Sequence, residues 1–195
     1  MSDNDIELVK EMKAGKPEAF EEMVRRHQKK IYGLAYGLTH NQSDAEDITQ
    51  EVFLKVCNKI NTFLGKSAFS SWIYRIALNV SFMKLKSRKK NQQIPLDDIL
   101  PKYQEDGFHV GSINDWSKKA DDILLSIESK KIIQMAINKL PEKEKVVFVL
   151  RDIEGLPTEK VCSILDISAP AVKSRLHRSR LFLRKRLANY YEDHQ

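Results

Sequence analysis

Between Val172 and Leu187, basic and polar side chains gather on one side of a helix-period pattern. Val172, Leu176, Leu183 and Leu187 recur at helical spacing and define an inward stripe. At 100° per residue, Lys173, Ser174, His177, Arg178, Leu181, Arg184 and Lys185 lie opposite it. Arg and Lys on such a face donate to base edges and neutralise phosphates. Charge alone would favour a plain solvated helix, so the decision rests on what precedes it. A short apolar stretch, GLPTEKVCSIL, is followed by a break at Asp166, Ile167 and Ser168, with Pro170 just beyond. That pattern spells a helix-turn-helix, whose second helix lies in the DNA major groove. Asp166 tolerates the left-handed backbone such a turn needs. Ser168 suits the cap of the second helix, and Pro157 the first turn of the leading one. Cys162 falls where the two helices should cross and is expected in the core.

A second set of candidates lies in Phe69–Lys90, FSSWIYRIALNVSFMKLKSRKK. Phe69, Trp72, Ile73, Ile76, Ala77, Val80 and Met83 share one side and are expected to be core. Tyr74, Arg75, Leu78 and Phe82 point the other way. Aromatics and Arg on an exposed face, followed by a basic run that includes Lys84 and Arg88, suit stacking on unpaired bases beside phosphates. The plainer alternative, that aromatics fill a small core, is taken for Trp72 but not for Tyr74 and Phe82. Asn79 is a poor helix-interior residue with a donor and an acceptor free for a base.

A third set sits on the helix SDAEDITQEVFLKV. Ser43 and Glu46 have the spacing of a capping box. Ala45, Ile48, Val52, Phe53 and Val56 form its apolar face. Asp44, Asp47, Gln50, Glu51 and Asn58 form the polar one, with Leu54 in its middle. Two readings fit Leu54. Single exposed leucines are common, and an apolar anchor ringed by polar groups is what a protein-docking face looks like.

The elements that position these sets are all helical. Asp5–Ala14 reads as a short helix stopped at Gly15, and Pro17 opens a longer one through Leu38. Residues 91–119 lack a sustained period and carry Pro95, Pro101, Gly107 and Gly111, which reads as a linker. Amphipathic helices resume at Asp121–Leu140 and after Pro141. The expected fold is all-α: two small helical domains joined by a flexible linker, the second a helix-turn-helix DNA-binding domain. The expected boundaries are 1–90, 91–120 and 121–195.

Composition narrows the function. The 195 residues are 42% hydrophobic and 31% charged, with a net charge of +6. Residues 1–90 hold 16 Lys and Arg against 11 Asp and Glu, residues 91–122 hold 3 against 7, and residues 123–195 hold 14 against 9. Two basic blocks around an acidic one suggest two nucleic-acid-facing modules and a connector. The five His are dispersed without metal-ligand spacing, and no Gly-rich phosphate loop or nucleophile motif occurs. No catalysis, metal or cofactor is therefore expected. Cys57 and Cys162 are expected to be reduced and buried. No apolar run is long enough for a bilayer and no signal peptide is seen, so a cytoplasmic protein without stable membrane insertion is expected.

In this order the segments GKPEAFEEMVRR, SDAEDITQEVFLKV, FSSWIYRIALN and LPEKEKVVFVLRDIEGLPTEKVCSILDISAPAVKSRLHRSR resemble bacterial RNA polymerase sigma factors of the extracytoplasmic-function (ECF) type, in the sigma-70 superfamily. The resemblance spans nearly the whole chain. It implies a promoter-melting first module (region 2) and a −35-reading second module (region 4), acting in transcription initiation. It implies core polymerase (β′ clamp and β subunits), promoter DNA and an anti-sigma factor as partners. It places polymerase docking on Asp44, Asp47, Gln50 and Glu51 and tips Leu54 towards docking. It places −10 contacts on Tyr74, Arg75, Asn79, Phe82, Lys84 and Arg88, with a flipped base held near Asn79. It places −35 contacts on Lys173, Ser174, His177, Arg178 and Arg184. Asp166 and Pro170 depart from the glycines common at those family positions. The linker's acidic balance suits a path towards the polymerase RNA exit. A stand-alone helix-turn-helix regulator is the competing reading. It explains residues 155–186 but not the Tyr74/Phe82 face.

Overall fold

The structure, a computed structural model, describes residues 3–92 and 132–192. The expected linker and the beginning of the expected second domain lie outside the described residues. Four helices build the first module: α1 (Asp3–Lys13), α2 (Pro17–Thr39), α3 (Gln42–Lys59) and α4 (Phe69–Gln92), with a 3-10 turn at Ile60–Thr62. The second module holds α5 (described from 132 to 138), α6 (Glu142–Phe148), α7 (Thr158–Leu165) and α8 (Ala169–Glu192).

Helix boundaries follow local chemistry, not always the expected residue. Asn41, not Ser43, caps α3: its side chain accepts from the Asp44 N–H at 2.9 Å. Asn and Ser are comparable caps, and the extended backbone needed falls at Asn41. Pro157 and Pro141 sit at the cap positions of α7 and α6, just before the first turn. The helix expected after Pro141 is regular only to Phe148. It widens into a π turn at Val149–Ile153, where the Glu154 N–H reaches the Val149 carbonyl at 2.8 Å. Gly155 then reverses the chain at φ 65°. This turn leaves both Val149 and Leu150 fully buried. Asp166 takes the left-handed turn position as expected, at φ 54°.

The first module's core is built from Met12, Met23, Ile31, Leu34, Leu38, Ile48, Val52, Val56, Phe69 and Ile73. Phe63, Phe69 and Trp72 pack ring against ring, as expected for Trp72. Met83, expected in the core, is 65% exposed; the next residue, Lys84, reaches Asp44 and Asp47, so ion pairs and not apolar side chains join α3 to this turn of α4. The second module adds Val146, Val147, Val149, Leu150, Val161, Ile164, Val172 and Leu176 to the same continuous apolar cluster. A satellite cluster of Ala136, Ile137, Leu140 and Leu183 ties α5 to α8. Cys162 and Cys57 are free thiols, half-buried against the main cluster.

His40 ends α2 in the left-handed conformation, φ 52°, and its N–H donates to the Tyr36 carbonyl at 2.7 Å. Both ring nitrogens are buried without a hydrogen-bond partner among the described residues. Burial, with the nearby Lys145 ammonium second, lowers its pKa from 6.5 to about 4. Burial also lowers His27, packed edge-on to Phe69. Between pH 6.5 and about 4 the unfolded chain takes up a proton at His40 that the native state refuses. Stability from this group is therefore full above 6.5 and falls as pH drops through that window. Asn accepts the left-handed backbone and does not titrate. Urea unfolding of His40→Asn between pH 7 and 4 should show a shallower loss of stability than the parent; an identical slope would show that His40 is not the titrating group.

Candidate nucleic-acid and protein-docking surfaces

On α3, Gln50 and Glu51 are exposed and Leu54 is 65% exposed, one turn apart along a single outward strip. Glu51 pairs with Lys55 on its own helix at 3.0 Å. Asp44 and Asp47 behave differently. Asp44 pairs with Arg88 at 3.1 Å and Lys84 at 3.6 Å, and Asp47 with Lys84 at 3.0 Å. The hydrogen bond that Lys84 donates to Asp47, then the two carboxylate charges, raise the Lys84 pKa. Residues expected on two separate surfaces, docking acids and DNA-binding bases, thus meet and tie the N-terminus of α3 to the basic half of α4.

The α4 face expected to be open is partly closed. Tyr74 is 1% exposed and Leu78 4%, so the expectation of an exposed Tyr74 is corrected. The reason is α7, which packs on that face. Lys160 lies 5.7 Å above the Tyr74 ring. Arg75 is half-buried and donates to the Ser163 carbonyl, from Nε at 3.1 Å and also from its terminal nitrogen. Burial pushes the Tyr74 hydroxyl up to about 12, with the Glu154 charge adding. Phe82 is half-buried against the main cluster, and only Asn79 of this face stands open.

On α8, Lys173, Ser174, His177, Arg178 and Arg184 are all exposed, as the period predicts. Val172, Leu176 and Leu183 face inward. Ser179 completes that stripe: fully buried, its hydroxyl donates to the Arg175 carbonyl at 2.8 Å and lies 3.1 Å from the Glu144 carbonyl. Ser168 Oγ accepts from the Ala171 N–H at 3.4 Å, the expected cap in a long form. Arg178 pairs with Glu144 at 3.0 Å, and Arg180 grips Asp152 with two bonds at 2.7 and 2.9 Å. The Arg180–Asp152 pair was not anticipated; it pins α8 to the π turn.

Gly33 and Gly37 were also missed. They are one turn apart on α2, and a Cβ at Gly37 would stand 2.9 Å from Val149 Cγ1 and one at Gly33 2.7 Å from Glu154 Oε1. Two glycines at i and i+4 inside a good helix were the available signal, since each weakens the helix unless something packs closely there. Lys145 closes the same seam by donating to the Leu38 carbonyl at 2.7 Å. Among the described residues no group of His, Cys, Asp and Glu could hold a metal, and no helix is long and apolar enough to cross a membrane.

Two family models match this arrangement, Sigma-70 region 2 over residues 23–91 and Sigma-70 region 4 over residues 130–183. The chain is 35% identical to the ECF RNA polymerase sigma factor SigW of Bacillus subtilis (strain 168), over 92% of this chain and 94% of that protein. The chain belongs to the ECF sigma factors. It is a sigma factor for transcription initiation, and the region 2 match accounts for the module that a stand-alone regulator leaves unexplained. Among solved structures, its fold is similar to that of CnrH in complex with the cytosolic domain of CnrY (TM-score 0.65, 22% identity, 96% of this chain and 99% of that one). It is also similar to the sigma factor RpoE in complex with the anti-sigma factor NepR from Bartonella quintana (TM-score 0.61, 19% identity, 87% and 96%).

The ion pairs between α3 and α4 of this sigma factor are a checkable feature. A double-mutant cycle on Asp44→Asn and Arg88→Gln should return a coupling of about 0.5–1 kcal/mol in thermal unfolding, shrinking as salt is raised. Zero coupling at low salt would leave Asp44 unengaged by Arg88.

Proposed function

We propose that this sigma factor docks on core RNA polymerase through the outward strip of α3, reads the −35 element with α8 and engages melted −10 DNA with α4. The observation that carries the docking assignment is Leu54, a large apolar side chain left in water between Gln50 and Glu51 on an otherwise well-packed helix. Apolar anchors ringed by polar groups concentrate binding energy. Asp44 and Asp47 contribute through α4: their pairs hold Lys84 and Arg88 in place for phosphates. On α8, Lys173, Ser174 and His177 offer polar groups that have no partner among the described residues, and Arg178, itself exposed, pairs with Glu144. In the −10 assignment Asn79 receives a base, while Tyr74, Arg75 and Phe82 form the wall beside it.

The protein performs no chemistry of its own; polymerase supplies catalysis. It works where polymerase works, in the cytoplasm. The region 2 and region 4 pairing, and a fold shared with a sigma factor solved with an anti-sigma factor, support an anti-sigma factor as its regulatory partner. A free-standing regulator would bind duplex DNA without polymerase.

Docking is tested by co-elution with core polymerase. Gln50→Ala combined with Glu51→Lys should abolish binding while helical circular dichroism stays unchanged, and Leu54→Ala should weaken it by about 1–2 kcal/mol. Undiminished affinity in the double variant would refute the docking strip. The recognition helix is tested by contrast. Arg178→Ala should cost about 1–3 kcal/mol and relax one −35 position. Arg184→Ala should weaken all promoters alike and reduce the salt slope by about one. Equal loss on every −35 variant for Arg178→Ala would reduce its role to phosphate anchoring.

A further inference from the structure

Among the cations proposed to meet −35 DNA, Arg178 differs from its neighbours. Lys173 and Arg184 have no carboxylate partner among the described residues, while Arg178 Nη2 lies 3.0 Å from Glu144 Oε1. The two ends of that pair are unlike. The Arg178 side chain is 58% exposed, whereas that of Glu144 is 16% exposed, on the side of α6 that packs on α8. Glu144 is also held from behind. Val146 and Val147 in the same turn of α6 are buried in the main cluster, and the buried Ser179 hydroxyl stands 3.1 Å from the Glu144 carbonyl. A pair between two long exposed side chains fixes little, because both must be ordered to form it. Here one partner is already placed, so the pair orders the other.

The bond also leaves the arginine able to read. Nη2 has two hydrogens; one shares an edge of the guanidinium with Nη1 and the other with Nε. Whichever of them Glu144 accepts, the remaining hydrogen still belongs to a complete two-donor edge. Such an edge makes the paired bonds to guanine N7 and O6. Arg180 is the contrast: Asp152 occupies both its Nε and its Nη2, so the edge they form is closed.

Resting on the −35 reading of α8 given above, we propose that Glu144 is a positioning residue for base recognition, holding the Arg178 guanidinium with a two-donor edge turned to the groove. Without it, a flexible arginine settles on the nearest phosphate, a contact that carries no sequence information. The Glu144 carboxylate also repels a phosphate from that place. Glu144 touches no base itself; it turns a mobile cation into a guanine reader.

The test uses holoenzyme reconstituted from core polymerase and the full chain. It is titrated on a promoter fragment found by run-off transcription, in every single-base variant of its −35 element. The readout at each position is the ratio of dissociation constants between the preferred base and the others. Arg178→Ala should flatten that ratio at one position. Glu144→Gln, which keeps the shape and removes the charge, should lower the ratio at the same position by at least about threefold. The other positions should keep their ratios. In an Arg178→Ala background Glu144→Gln should leave the ratio unmoved, since no guanidinium remains to be oriented. Glu144→Met replaces Glu144→Gln in the same cycle if the latter loses helical dichroism. A carboxylate that only braces α6 on α8 gives a different pattern: equal weakening for every base, or an effect on the ratio that persists without Arg178. Either pattern, or an unchanged ratio in the Glu144 variant, would overturn the positioning role while Arg178 kept its base contact. Ratios unchanged by Arg178→Ala would instead remove the base-reading role of Arg178, and positioning with it.

Discussion

The molecule turns on α4, a helix that cannot be left in water on two of its faces. Phe69, Ile73, Ala77 and Val80 fill the core shared with α2 and α3. Tyr74 and Leu78 present a second apolar surface about a third of a turn away. Burying a side chain of that size contributes about 1.5–3 kcal/mol, so something must cover it. Here α7 does, and the other elements follow from that placement. The π turn brings Val149 to Gly37, Lys145 reaches the end of α2, and Arg75 meets the Ser163 carbonyl. What α7 packs against is an aromatic ring beside a cation, the same chemistry that the −10 proposal assigns to unpaired bases.

Charge organises the other half of α4. Past Phe82 the helix becomes basic, and a bare cationic helix would repel itself. Asp44 and Asp47 offset this locally through Lys84 and Arg88. They also stand in the first turns of α3, where the positive helix end favours acids. One pair of acids therefore stabilises the start of one helix and fixes cations on another. Such pairs exchange for phosphate at little cost, so the proposed DNA role of Lys84 and Arg88 is compatible with their restraint by α3.

Much of this was legible in the chain, and the misses have physical causes. Four helices of the first module, the helix-turn-helix and the outward face of α8 follow from period and punctuation, since each of those helices buries one stripe. The open strip on α3 followed too, because Leu54 interrupts a polar face. For α4 the same method misplaced Tyr74 and Leu78: helical spacing shows which residues share a side, but not whether a partner distant in sequence lies on it. Nothing local links Arg75 to Ser163, 88 residues apart. The π turn was equally invisible, because it is set by tertiary packing of Val149 and Leu150 and not by a breaker. Gly33 and Gly37 were visible but unread. Their meaning is the space they leave, which needs the partner in view.

The seam between the two modules mixes apolar and polar burial. Burying Leu78 and the Tyr74 ring favours closure. Against it stand an unpaired hydroxyl, at about 1–3 kcal/mol, and two poorly solvated charges, Lys160 and Glu154. Favourable and unfavourable contributions therefore meet at one seam. A fully apolar seam of the same extent would hold more tightly, and side chains at Gly33 and Gly37 would press on Glu154 and Val149. The buried polar groups and the two glycines thus act in opposite senses, one limiting the stability of the seam and the other permitting it.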